Sequence, residues 1–252
     1  MLQLELNIRN IFDLEKAIKT LSENKYTGVT ITCKNTNLDT FIVVGEIQKY
    51  YPKLSITPTF SISNNYLGSA DATYQRLLKV VAYAQTFEIN NTLLVSGNPR
   101  KKLDTIECLH RFHDFRNWVL KSSDDEHIQK LDDWHFSIAY NPYLKDIESE
   151  NQRLKKKLEK NSIKCIYLQI GEDITKLEKA VQLIRLLNKN IIIWVSVLIP
   201  TSKLLSRLLF RPWGGVFLSQ SFLKDISFAN NKTAEIIEYC EQNNLGILET
   251  RE

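Results

Sequence analysis

Short runs of apolar and β-branched residues alternate along the chain with longer, mixed stretches. The runs number eight and have the composition of buried strands: LQLEL (2–6), GVTIT (28–32), LSITPT (54–59), TLLVS (92–96), HFSIA (135–139), CIYLQ (165–169), IIIWVS (191–196) and GVFLS (215–219). The longer stretches repeat apolar residues every three or four positions, as amphipathic helices do: 12–23, 70–87, 103–120, 148–161, 176–188 and, after the eighth run, 233–242. This alternation predicts βαβ units and a parallel sheet.

Eight strand–helix units favour a closed barrel over an open, doubly wound sheet. The first predicted turn, LNIRNIF, contains no glycine, whereas the dinucleotide-binding open sheets carry a glycine-rich first turn. The length of 252 residues matches the usual barrel length of about 250 residues. We therefore expect an α/β protein with one (β/α)8 TIM-type barrel domain over residues 1–252, and a polar surface loop at 121–135.

The composition and charge of the chain limit the binding partners and the cellular compartment that we expect for it. The 33 basic and 29 acidic residues give a net charge of +4 and are mixed along the chain, so no basic face for nucleic acid is indicated. The longest apolar run, IIIWVSVLIP, is too short to span a membrane. The amino terminus has no secretory pattern, and the four cysteines form no CxxC pair. We expect a soluble cytoplasmic protein with reduced thiols, a small-molecule ligand and neither nucleic-acid nor membrane partners; a homo-oligomer is compatible with the sequence.

Barrel enzymes place their active sites at the carboxyl ends of the strands. The groups at these ends are mostly neutral hydrogen-bonding residues, and Glu5 is the one carboxylate. A glycosidase needs a pair of carboxylates, so this set suits a site with one proton donor. His110 and His113 form an HxxH pattern in the fourth helix, but a metal needs further ligands, and no metal site is predicted.

Four segments, in chain order, resemble the methylenetetrahydrofolate reductase family. They are LQLEL (2–6), VSGNP (95–99), FSIAYNP (136–142) and RLKKKLEKNSIKCIYLQ (153–169). The resemblance implies an oxidoreductase of one-carbon metabolism that transfers a hydride to 5,10-methylenetetrahydrofolate. The resemblance implies NAD(P)H as the hydride donor, with or without FAD as a bound cofactor.

The resemblance also implies residue roles. Glu5 corresponds to the catalytic general acid, and Gln169 and Asn98 correspond to groups that bind the folate substrate. The positions that correspond to cofactor-binding groups are Thr59, Gly97, Tyr140 and Lys157.

Several positions leave alternatives open. Asn98 stands where the family has an aspartate, and Thr59 where flavin-dependent members commonly have a histidine. A catalytically silent relative that binds a folate-like ligand, or a partner subunit, is therefore the alternative to a reductase. Asn98 and Asn141 each precede a proline and could instead cap helices. A third reading, an unrelated enzyme acting on a phosphorylated substrate, rests on SGNPRKK (96–102) and the glycine pair 214–215.

Overall fold

The computed structural model describes residues 1–23, 25–33, 40–96, 103–122, 131–159 and 163–251. Its strands close into a barrel in the order β1 to β8, which confirms the predicted (β/α)8 class, and every strand pairing given for it is parallel. The strands are β1 (Leu2–Ile8), β2 (Gly28–Cys33), β3 (Ser55–Ser61), β4 (Asn91–Val95), β5 (His135–Tyr140), β6 (Ile163–Leu168), β7 (Ile192–Leu198) and β8 (Gly246–Thr250).

The helices begin where a polar side chain can accept a hydrogen bond from the first free backbone N–H groups. Ser69, Asp173 and Thr201 each cap a helix in this way. The described helices are α1 (Ile11–Leu21), α2 (Thr40–Tyr50), α3 (Ala70–Thr86), α4 (Thr105–Ser122), α5 (Ile147–Leu158), α6 (Ile174–Leu187), α7 (Ser202–Phe210), α8 (Gln220–Lys224) and α9 (Ile226–Gln242).

The eighth strand is not the one that the sequence pattern predicts. GVFLS (215–219) forms only an isolated bridge, from Phe217 to Gly171, and Gly215 has a φ of +81°, which is incompatible with extended strand. The strand that closes the barrel is GILET, all five of whose residues are buried between β1 and β7. The predicted helix 233–242 therefore precedes the eighth strand, as part of α9, and does not follow it.

The chain divides into two compact units. Unit 1 comprises Met1–Glu5, Ala139–Gln152 and Cys165–Glu252, and unit 2 comprises Leu6–Ile138 and Arg153–Lys164. In unit 1, the leucines of α7 pack with Phe222 of α8 and Ala229 of α9 into a buried cluster. The single domain over 1–252 stays a prediction.

Unit 2 has a core of its own. Val43, Val44 and Ile47 of α2 are fully buried, as are Val29 and Ile31 of β2. The spacing of these α2 residues by three and four positions is what places them on one face of the helix.

Cys108, Cys165 and Cys240 are buried, unbridged thiols. None of the described helices is long and apolar enough to cross a membrane.

Candidate functional site

Glu5 lies in unit 1, where β1 meets the last residue of the barrel's closing strand. Its register partner is Thr250, and the Thr250 hydroxyl donates to Glu5 Oε2 at 2.6 Å. The Glu5 side chain is half-buried whereas Thr250 is buried. One carboxylate oxygen is thus held by the protein, and Oε1 can accept from a ligand.

Two residues before Glu5 on the same face of β1, Gln3 belongs to a packed layer. The Tyr167 hydroxyl donates to Gln3 Oε1 at 3.1 Å, and the Tyr167 ring stacks on Trp194 with centroids 6.1 Å apart. A Cβ on Gly246 would lie 2.3 Å from the Trp194 ring. This layer of bulky side chains closes unit 1 on the amino-terminal side of Glu5.

Gln169 follows β6 directly, and its amide orientation is fixed by the backbone. Its Oε1 accepts from the backbone N–H of Ile170 at 3.0 Å, and because a backbone N–H can only donate, the acceptor must be the oxygen. Nε2 is then the group that remains for a ligand, because it has no hydrogen-bond acceptor among the described residues. Gln169 therefore offers a hydrogen-bond donor.

Asn141 follows β5 and is fixed in the same manner. Its Oδ1 accepts from the backbone N–H of Tyr143 at 3.1 Å, and its Nδ2 donates to the carbonyl oxygen of Gly215 at 2.8 Å. A Cβ on Gly215 would lie 3.5 Å from Asn141 Nδ2 and 3.7 Å from Gln169 Nε2. Gly215 thus lies beside both amides. The sequence signal for Asn141 was an Asn-Pro pair, and nothing in the sequence pointed to its partner.

Tyr140 and Lys157, the other predicted cofactor-binding residues whose side chains the structure describes near β5 and β6 in the chain, are both buried. Tyr140 is only 2% exposed, and its hydroxyl donates to Asn151 of α5 at 2.6 Å; burial raises its pKa to about 12. Lys157 is buried in the last turn of α5, before β6 begins, whereas Gln169 follows the carboxyl end of that strand. Their cofactor-binding roles stay predictions.

The remaining predicted positions belong to unit 2 or lie outside the described residues. The Thr32 hydroxyl donates to the Thr59 hydroxyl at 3.2 Å, and both side chains are half-buried. Gly97 and Asn98 lie outside the described residues. Unit 1 therefore contains Glu5, Gln169 and Tyr140 of the predicted set, and Glu5 and Gln169 retain atoms that a ligand could reach.

Among the described residues, no group of three or more His, Cys, Asp or Glu side chains could hold a metal ion. His113, one half of the HxxH pattern, has its Nε2 2.9 Å from Nδ2 of Asn117.

Comparison with known proteins adds a likeness of fold. No family model and no curated protein matches the chain. It is similar to the structure of an uncharacterized protein from Clostridium thermocellum that binds two copies of 5-methyl-5,6,7,8-tetrahydrofolic acid, with 12% identity, a TM-score of 0.64, and coverage of 100% of this chain and 88% of that chain. It is also similar to dihydrodipicolinate synthase from Thermotoga maritima, with 13% identity, a TM-score of 0.51, and coverage of 96% and 76%. At such identities the likeness shows the barrel fold.

Proposed function

We propose that this protein binds a reduced folate at the carboxyl ends of the unit 1 strands, and that binding rather than turnover is its primary activity. The observation that carries the proposal is two side-chain atoms without an internal partner among the described residues, an acceptor on Glu5 and a donor on Gln169, in a barrel whose full length is similar to a methyltetrahydrofolate-binding protein. In each side chain a different atom makes the internal hydrogen bond.

The chemistry of these two atoms suits a pterin ring. The edge of a 2-amino-4-oxo pterin carries N–H donors beside a carbonyl acceptor, so a carboxylate oxygen and an amide N–H complement it. A buried polar group of the ligand that met no partner would cost about 1–3 kcal/mol. One acceptor and one donor therefore support selection for a ring that carries both N–H donors and a carbonyl acceptor.

The groups beside Gly215 are suited to hold a ligand. Gly215 lies beside the amides of both Asn141 and Gln169, and the carboxylate of Glu150 accepts from the backbone N–H of Asn141 at 3.4 Å. Because amides orient a ligand through hydrogen bonds and do not transfer protons at neutral pH, this part of unit 1 supports binding more directly than turnover.

The test is equilibrium binding of 5-methyltetrahydrofolate by titration calorimetry to wild type, Gln169→Ala and Gln242→Ala. Gln242 is an exposed residue of α9 whose side chain donates to Glu238 at 3.0 Å on the helix surface, so it is a matched control. We expect Gln169→Ala to weaken binding by about tenfold, equivalent to one hydrogen bond of about 1.4 kcal/mol, and Gln242→Ala to bind as wild type does. A wild-type protein that binds no reduced folate would refute the proposal.

A second binding experiment tests which group of the pterin ring Gln169 contacts. A 2,4-diamino analogue replaces the ring carbonyl with an amino donor, which would face the Gln169 donor. We expect wild type to bind the analogue more weakly than the 4-oxo compound, and Gln169→Glu, which can only accept when ionised, to reverse that order. Equal preference in both proteins would contradict the assigned role of Gln169.

Reduction of 5,10-methylenetetrahydrofolate is the second candidate function, and the half-buried Glu5 is the observation in its favour. It needs a hydride from NAD(P)H, directly or through FAD, and both cofactors are part of this proposal. NAD(P)H oxidation with the methylene substrate should be lost in Glu5→Gln and retained in the exposed control Glu238→Gln. Equal rates in both variants would exclude Glu5 as the acid.

A further inference from the structure

The segment 213–219, which we name the strap, is attached to the loops that follow β5 and β6. Asn141 Nδ2 donates to the Gly215 carbonyl at 2.8 Å, and Phe217 pairs with Gly171 in an isolated parallel bridge. At the carboxyl end of the strap, Glu172 accepts from the Ser219 backbone N–H at 2.6 Å and from its hydroxyl at 3.1 Å. Three separate attachments therefore fix one short segment.

One side of the strap packs on the apolar core of unit 1, and its other side lies at the candidate ligand site. Trp213, Val216 and Leu218 pack against the buried cluster of α7, α8 and α9. Gly215 lies beside the amides of Asn141 and Gln169. The position of the strap thus sets how closely main chain approaches the one free donor of Gln169.

The polar attachments are weak compared with the core beneath. The bonds of Glu172 to Ser219 are exposed, and that of Asn141 to Gly215 is partly buried. Internal hydrogen bonds contribute about 0.5–1.5 kcal/mol each and somewhat more when one partner is charged, far less than the global stability of a domain. Opening also exposes the partly buried Trp213, Val216 and Leu218, so its cost is the sum of these apolar contacts and the polar attachments. A local opening of this kind can occur while the barrel stays folded.

We propose that the strap covers the ligand site in unit 1 and retains the bound ligand, and that Asn141 and Glu172 are positioning residues that hold it closed. This inference rests on the proposed folate binding. Neither residue needs to touch the ligand. Their effect is on the rate at which the strap opens, and so on the rate at which ligand leaves.

Asn141→Asp separates the two hydrogen bonds that the Asn141 side chain makes, one as acceptor and one as donor. The aspartate can still accept from the Tyr143 N–H, so the local turn is kept, but it cannot donate to the Gly215 carbonyl. Glu172→Ala removes the other polar attachment. We expect each variant to release 5-methyltetrahydrofolate about tenfold faster than wild type in stopped-flow dissociation, with Trp213 as the fluorophore on the strap.

The glycine pair provides a matched control. Gly215 has a φ of +81°, so a side chain there is strained whatever the space, whereas a Cβ on Gly214 meets nothing within 4 Å. Gly215→Ala should therefore release ligand faster, and Gly214→Ala should behave as wild type does. Hydrogen exchange of 213–219 should slow when ligand is added to wild type and should be faster in Asn141→Asp and Glu172→Ala without ligand.

The outcomes separate the two proposals. Wild type that binds reduced folate, with dissociation from Asn141→Asp and Glu172→Ala within about twofold of wild type and unchanged exchange of 213–219, would overturn the strap alone. Wild type that binds no reduced folate would overturn both. Faster release and faster exchange in the variants, with circular dichroism and melting close to wild type, would support the strap over a merely structural role.

Discussion

The two units differ in how far their buried polar side chains are hydrogen-bonded. In unit 1 they bond to one another, as Tyr167 does to Gln3 and Thr250 to Glu5, and no inaccessible side-chain nitrogen or oxygen in its described part lacks a partner. In unit 2, inaccessible atoms have no partner among the described residues; they include Tyr74 Oη, Gln85 Nε2, Thr92 Oγ1, His110 Nε2, His113 Nδ1 and Trp134 Nε1.

The difference matters for function because a bonded polar group has a fixed direction. Glu5 and Gln169 each use one atom internally and so present the other in a defined orientation, which a binding site requires. The unpartnered atoms of unit 2 include a fully buried hydroxyl, that of Thr92, and such groups reduce stability. The fixed orientation of Glu5 and Gln169 is the reason why the proposed ligand site is assigned to unit 1.

The largest expected effect comes from glycine substitutions in the two units. In unit 1, a Cβ on Gly246 would lie 2.3 Å from the rigid Trp194 ring, whereas in unit 2 a Cβ on Gly45 would lie 3.3 Å from Phe87. Gly246→Ala should lower the free energy of unfolding by about 3 kcal/mol through overpacking. Gly45→Ala lies in α2, where alanine gains about 1 kcal/mol in helix propensity, and should change it by less than that. Urea unfolding measures both, and equal losses would contradict the difference in packing.

The next effect compares two buried tyrosines. Tyr167→Phe removes a hydroxyl that bonds Gln3 and should cost about 1 kcal/mol of unfolding free energy. Tyr74→Phe removes a hydroxyl without a partner among the described residues and should be neutral or stabilising by up to about 1 kcal/mol. Thermal unfolding of the two variants tests the comparison directly. A loss for Tyr74→Phe as large as that for Tyr167→Phe would show that the hydroxyl of Tyr74 is satisfied in solution.

The smallest difference that we expect between the units concerns their buried thiols, which should behave alike. Burial raises the pKa of Cys108 in unit 2 and of Cys240 in unit 1 to about 12. Because the thiolate is the reactive form, neither should be alkylated at about pH 8 until the protein is unfolded. The folded protein holds these thiol protons more tightly than the unfolded chain does, so stability should fall as pH rises from about 9 towards 12. Mass spectrometry of iodoacetamide-treated protein reads each site, and labelling of Cys240 alone would show that unit 1 opens more readily.

Much of the fold could be predicted from hydrophobic period. Seven of the eight predicted runs overlap strands of the barrel, because buried parallel strands require continuous apolar and β-branched residues. The eighth could not be chosen by this rule, since GVFLS and GILET have the same character. Closure decided between them: only GILET can pair with β1 on one side and β7 on the other.

The candidate site could likewise be predicted only in part from the sequence. The apolar pattern placed Glu5 on or just beyond the end of the first strand and Gln169 at the end of the sixth. Glu5 lies within β1, three residues before its end, and Gln169 directly follows β6. Tyr140 was assigned to the same strand ends, but along β5 it alternates with Ala139 and shares the buried face of Phe136 and Ile138, so its hydroxyl meets α5 instead.

What the sequence determined by itself is the class of fold and the approximate positions of seven strands, because both follow from local period and residue type. Only the tertiary structure decided which atoms remain free at those positions. Gly215 lies 74 residues from the Asn141 amide that it contacts, and Thr250 lies 245 residues from Glu5. Such partners are brought together by barrel closure, and no local pattern encodes them.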